Sequence, residues 1–236
     1  MNARSLDVAY SDAAVCRGFT YRRLHMGFSC LLFILGLTFV GQGGYMQAKA
    51  YFAQFLIQQA WQKTLDDQQQ HKPWSWADTY PVAKLEFLAS SSEQTQTQPK
   101  PLGLLESVST NKNRSLYVLS GASGRNLAFG PAQVLSSAKI NSSGNTVIAG
   151  HRDTHFSLLS GTKVGQLITL QNAEGVEVLY QVMQTQVVHE SDVSVMDNAG
   201  EALLTLVTCY PFGSAVAGGP LRYVVTAVPL DKVETI

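Results

Sequence analysis

A mainly β domain behind one apolar helix is the fold class this sequence predicts, with the β part a barrel or sandwich of roughly six to eight strands. Three observations predict it. Residues 26–48 carry no charged side chain and are dominated by large apolar ones. From residue 100 onward, short β-branched runs recur between breaks that carry glycine or asparagine. No convincing 3.6-residue period interrupts those runs, so the helical crossovers that a parallel α/β sheet requires are missing.

Composition narrows the function classes. Lys plus Arg (17) equals Asp plus Glu (17), so the chain lacks the basic excess that displaces counterions from phosphates, and no nucleic-acid partner is expected. Charged residues make up 14%, below the roughly 25% of ordinary soluble domains. An apolar content of 45% is enough for a core and argues against disorder of the whole chain. Three cysteines in 236 residues do not form a disulfide-stapled miniprotein.

Taken in chain order, residues 1–25 read as a cytoplasmic tail and residues 26–48 as a transmembrane signal anchor. Roughly 20 helical residues cross the hydrocarbon of a bilayer, and the stretch centred on Phe28 to Val40 meets that length. Arg4, Arg17, Arg22 and Arg23 precede it and only Lys49 follows closely, which places the N-terminus inside and the remainder outside. A cleaved signal peptide is the competing reading, since Ala48-Lys49-Ala50 offers a small-x-small site. Against it, a polar region of about 25 residues before the apolar run is long for such a signal. A buried helix of a soluble protein is the third reading, opposed by the basic residues ahead of the run and their absence within it.

Residues 49–72 read as a juxtamembrane helix. Tyr51, Phe52, Phe55, Leu56 and Ala60 recur at helical spacing. That apolar face is expected to pack on the following domain, with extension of the anchor or a position along the membrane surface as alternatives. Pro73 ends the helical signal, and residues 73–81 read as an extended connector with Trp74 and Trp76 as packing anchors. Residues 90–101 are Ser-, Gln- and Thr-rich and read as an exposed loop or linker. Strands are expected over Ser115–Ser120, Thr146–Ala149, Leu167–Gln171, Val176–Val188, Leu203–Thr208 and Leu221–Val228.

Cys16 falls in the predicted tail and Cys30 in the predicted anchor, so Cys209 has no disulfide partner after the anchor. A cysteine often does no more than fill space in a core. An unpaired thiol in an oxidising compartment is nonetheless vulnerable, which calls for a reason. Cys209 stands where an apolar strand gives way to Tyr210-Pro211-Phe212-Gly213, the kind of place where barrels present functional groups. If the strand at Leu221–Val228 pairs antiparallel with it, Arg222 lies near Cys209; otherwise Arg222 is an edge charge that snorkels to water. His151 follows the strand ending at Gly150, so all three groups could meet at one mouth of a barrel. His151 and His155 are four apart, but the helical zinc-protease motif needs glutamate where Arg152 stands, and no metal is expected. His25 and His71 lie in flanking regions, and His189 reads as a surface residue.

Thr205-Leu206-Val207-Thr208-Cys209 resembles the Thr-Leu-x-Thr-Cys signature of sortases, the cysteine transpeptidases of bacterial surfaces. Gly150-His151-Arg152-Asp153-Thr154-His155-Phe156 looks like the histidine motif of class D-like sortases, and Leu221-Arg222-Tyr223 fits the arginine strand. Pro73 to Thr79 and Leu127 to Pro131 are similar to stretches of a subgroup from marine and other Gram-negative proteobacteria. The resemblance covers roughly residues 45–230. One departure is the polar insertion near residues 88–113, where family members usually pass quickly from a first strand, here near Val82–Phe87, to the next.

The resemblance implies a closed eight-stranded β-barrel as the catalytic domain over residues 73–236, anchored in the bacterial inner membrane and facing the periplasm. It implies a secreted protein substrate with a C-terminal signal similar to Leu-Pro-x-Thr-Gly, an amine acceptor, and no cofactor. Cys209 would be the nucleophile, His151 the general acid and base, and Arg222 the group that stabilises the oxyanion or holds substrate backbone. Thr208 would hydrogen-bond substrate or only pack. A cysteine hydrolase shares the first half-reaction, and a non-catalytic envelope scaffold is the alternative from another class.

Overall fold

The computed structural model describes residues 4–88, 114–198, 200–214, 216 and 218–230; of residues 4–25 and Arg114 it describes the backbone alone. The loop expected over 90–101, and with it the insertion near 88–113 beyond Leu88, lies outside the described residues. Two compact units divide the chain, Met1–Phe52 and Ala53–Ile236.

The first unit is the leading part of helix α1 (Arg4–Asp67). Phe33, Phe39 and Val40 are exposed along it. By length and composition the stretch from Met26 is long and apolar enough to cross a membrane.

In the second unit, the last turns of α1 bury Ile57, Ala60, Trp61 and Thr64, the i, i+3, i+4, i+7 positions of one helical face. Ile57 packs with Leu119 and Ala132, and the Trp61 ring lies 6.4 Å from that of Tyr117. Of the stripe expected from the sequence, Ala60 is on this buried face, Leu56 is half-buried, and Tyr51, Phe52 and Phe55 are exposed. In the connector, Trp74 packs edge-on against Phe129 at 4.9 Å. Trp76 touches Trp74 at 5.3 Å yet is 76% exposed, so only the first tryptophan is buried against the domain.

The strands are β1 (Pro81–Phe87), β2 (Arg114–Ser120), β3 (Ala132–Gln133), β4 (Asn145–Ala149), β5 (Leu167–Asn172), β6 (Glu177–His189), β7 (Leu203–Tyr210) and β8 (Leu221–Pro229), with a short helix α2 (Gly124–Leu127) between β2 and β3. They form a closed barrel in the order β1-β2-β3-β4-β7-β8-β6-β5, with β5 pairing back to β1. Closure leaves no sheet edge to protect. The β2–β3 and β4–β7 pairs are parallel and the rest antiparallel. The sequence did not announce β3, because two residues carry no alternation; it exists through its neighbours, with Ala132 opposite both Leu119 and Ala149. The interior is filled by residues such as Leu85, Ile148, Leu170, Leu204, Leu206 and Val225.

Leu206→Ala, at a fully buried position in β7, is expected to lower stability by about 2–5 kcal/mol. Chemical denaturation of the full-length protein in detergent reads this, with exposed Val164→Ala as a control expected to stay within about 0.5 kcal/mol of the parent.

Candidate active site

Strand β7 has partners on both edges. Along its parallel edge, Ile148 pairs with Leu206 and Ala149 with Val207. Along its antiparallel edge, Thr208 pairs with Tyr223, Cys209 with Arg222 and Tyr210 with Leu221. Directly opposed residues point to the same face of a sheet, so Cys209 and Arg222 are side by side. Leu204, Leu206, Val225 and Ala227 face the interior, and the period of two then turns Cys209 and Arg222 to the outer face of the barrel wall. The pair is thus at the strand ends, as the sequence suggests, but on the barrel's outer surface rather than in its mouth. Cys209 is unpaired and half-buried.

The register of β4 continues past its last residue, because the Gly150 N–H donates to the Val207 carbonyl at 3.1 Å. One residue further, His151 stands level with Cys209, and it is exposed. The Thr208 hydroxyl, 2% exposed, donates to the Gly150 carbonyl at 2.7 Å. Thr208 therefore ties the residue before Cys209 to the residue before His151. Gly150 is needed for space: a Cβ there would lie 2.7 Å from the ring of Phe156. That ring is fully buried, and the Phe156 N–H donates to the His151 carbonyl at 3.0 Å. The histidine backbone is thus held from three sides.

Arg222 does not simply reach into water. Its Nη1 donates to the carbonyls of Gly219 (2.6 Å) and Leu221 (2.9 Å), and its Nη2 pairs with Glu190 Oε2 at 2.6 Å. Glu190 follows β6, where Val188 is the register partner of Arg222. It is therefore a diagonal neighbour on the same face, forming a row of carboxylate, guanidinium and thiol across three strands. On the opposite, core-facing side, Tyr223 stacks on Tyr210 at 6.3 Å and meets Phe212 edge-on at 5.2 Å.

Two further groups had gone unassigned in the sequence reading. Arg152 is buried with its guanidinium against the carbonyls of Ser214, Val216 and Gly218. His155 is half-buried, and burial, with a smaller contribution from nearby His151, holds its pKa below the ordinary imidazole value. Arg152 had a weak signal in the sequence, a charge inside the motif that carries His151. Glu190 had none, since its partner is 32 residues away and only the β6–β8 register joins them. Among the described residues, no group of three or more His, Cys, Asp or Glu side chains is placed to hold a metal ion.

Residues 109–230 match the sequence model of the Sortase domain. The chain is 32% identical over 114 residues to Sortase D of Bacillus subtilis (strain 168), covering 48% of this chain and 57% of that protein. It is 35% identical over 99 residues to Sortase A of Listeria monocytogenes serovar 1/2a, covering 40% of this chain and 44% of that one. The chain thus spans about half the length of these two relatives. Among solved structures, Sortase A from Corynebacterium diphtheriae superposes with a TM-score of 0.51 at 20% identity, covering 68% of this chain and 66% of that one. At that identity the likeness shows the fold alone.

Two outcomes are expected from this geometry. Gly150→Ala overpacks the Phe156 ring and is expected to cost about 1–3 kcal/mol, read by thermal unfolding. For His155, the folded pKa lies below the usual 6.5, so the unfolded state binds more protons on acidification. Its contribution is fully present above about pH 6.5 and is lost as pH falls through that value toward the folded pKa. Denaturant midpoints at pH 7.5 and 5.5 are expected to converge in His155→Gln relative to the parent.

Proposed function

The chain belongs to the sortase family, and on that premise we propose that it is a membrane-anchored cysteine transpeptidase. It cleaves the Thr–Gly bond of a C-terminal signal similar to Leu-Pro-x-Thr-Gly and joins the new carbonyl end to an amine. The observation that carries this reading is the β7 ladder, with Arg222 opposite Cys209 and the continuation of β4 bringing His151 level with them.

Cys209 Sγ, as thiolate, attacks the threonine carbonyl carbon. A free thiol with a pKa of about 8.5 is only a few per cent ionised at neutral pH, and nearby cationic groups favour the anion. The tetrahedral oxyanion is stabilised by Arg222, whose guanidinium edge Glu190 orients. A single donor of this kind contributes roughly 10²–10³ in rate. Collapse breaks the C–N bond, and His151 gives its proton to the departing glycine amine. In the second half, the acceptor amine attacks the thioester and loses a proton to His151; the new amide forms and Cys209 is released. A histidine imidazole can act as acid in the first step and base in the second.

The apolar helix from Met26 supports anchoring, and the arginines ahead of it support a cytoplasmic N-terminus with the barrel outside the bacterial inner membrane. Confinement of enzyme and membrane-tethered substrate to one surface raises their effective concentration.

The test uses full-length protein in detergent with a Leu-Pro-x-Thr-Gly peptide and excess small amine, read by product mass. A threonine–amine adduct is expected, absent in Cys209→Ala and His151→Ala, with Arg222→Ala slower by roughly 10²–10³-fold. Free acid as the sole product even at saturating amine identifies a hydrolase. Unchanged function in the cell with Cys209→Ala and His151→Ala identifies a non-catalytic scaffold.

A further inference from the structure

Arg152 is 8% exposed, although it directly follows an exposed histidine on a surface turn. Its Nη1 donates to the Gly218 carbonyl at 3.2 Å, and its Nη2 donates to the Ser214 carbonyl at 3.3 Å and to that of Val216. All three acceptors belong to the segment joining β7 to β8, which leads from Cys209 to Arg222. Among the described residues Arg152 forms no salt bridge, so its charge is met by backbone carbonyls. A guanidinium suits that duty because it offers five donors in a fixed planar fork.

At its two ends the segment it holds has other anchors: Phe212 packs against the core, the Arg222 Nη1 donates to the Gly219 carbonyl, and the Glu190 N–H donates to the Pro220 carbonyl. Between them, among the described residues, Ser214 Oγ bonds to the Val216 backbone. Val216 is exposed, and Gly218 and Gly219 have positive φ, so no regular ladder organises the described residues of this middle stretch. Burying a cation without partners costs several kcal/mol. The arginine therefore stays buried only while the carbonyls converge on it, and they converge only while it is there. The other side of the same turn is pinned by Gly150 to Val207 and Thr208, just before Cys209.

We propose that Arg152 is a positioning residue: it clamps the β7–β8 segment to the histidine turn, so that His151, Cys209 and Arg222 are carried on one rigid frame. This inference rests on the transpeptidase reading above for its catalytic consequence. The clamp itself stands on geometry alone.

The test compares full-length Arg152→Ala and Arg152→Lys with the parent in detergent micelles, by amide NMR order parameters, thermal unfolding, and kcat and KM for the peptide–amine reaction. In Arg152→Ala, order parameters at Ser214, Val216 and Gly218 are expected to fall from about 0.85 to below about 0.6 while those of β7 and β8 hold. The kcat is expected to fall about 10²-fold, the scale of a small misplacement of reacting groups. Added methylguanidinium is expected to restore part of both, which a merely structural loss would not show. Arg152→Lys keeps the charge but not the fork, and is expected to fall between the other two; it decides the matter alone if Arg152→Ala does not fold. Unchanged order parameters in the folded variants overturn the clamp, as does a lowered melting temperature with kcat intact. A parent protein without turnover counts against the transpeptidase reading only, because the order parameters and their methylguanidinium response still decide the clamp.

Discussion

Everything in the site depends on β7 being hydrogen-bonded to a parallel strand on one edge and an antiparallel strand on the other. A parallel partner ends where β7 ends, so the chain leaving β4 delivers His151 beside Cys209. An antiparallel partner begins where β7 ends, so β8 delivers Arg222 to the same place. Had both neighbours run the same way, one of these groups would be at the opposite end of the barrel. The ladder spacing of about 4.8 Å between strands then sets how far apart the three residues stand.

Ladder polarity sets the level of each group, and side-chain bonds set the finer positions. Thr208 and Gly150 lock the two strand ends together through a buried hydroxyl. The Phe156 ring fills the space that a side chain at position 150 would need. On the far edge, Glu190 engages the Arg222 guanidinium, and Arg152 gathers the carbonyls of the following segment. Burial, with a smaller contribution from nearby His151, disfavours protonation of His155. The polar groups are held by backbone and by one another, while the apolar barrel interior supplies the stiffness.

Much of this was legible in the residues alone. Strand positions followed from β-branched runs bounded by glycine, because period-two alternation survives wherever one face meets a core, as at Leu204 and Leu206. Cys209, His151 and Arg222 stand out as candidates because each borders such a run, and the Thr-Leu-x-Thr-Cys and Leu-Arg-Tyr patterns are short and contiguous. Less was legible where a choice belongs to a partner. Periodicity put Ala60 on an apolar helical face, but that Ile57, Trp61 and Thr64 share its burial was decided by packing, with Ile57 on Leu119 and Trp61 beside Tyr117. Strand β3 has two residues and owes its existence to β2 and β4.

By itself, then, the sequence determined the apolar N-terminal helix and the β class of the remainder and singled out Cys209, His151 and Arg222 as candidates, all of which are properties of neighbouring residues. Tertiary structure alone decided that the thiol faces outward from the barrel wall, that Glu190 meets Arg222, and that Arg152 is buried against Ser214, Val216 and Gly218. Those are distances between groups tens of residues apart, set by strand order and register. A local pattern carries no information about a register, because the hydrogen bonds that fix it are made to another part of the chain.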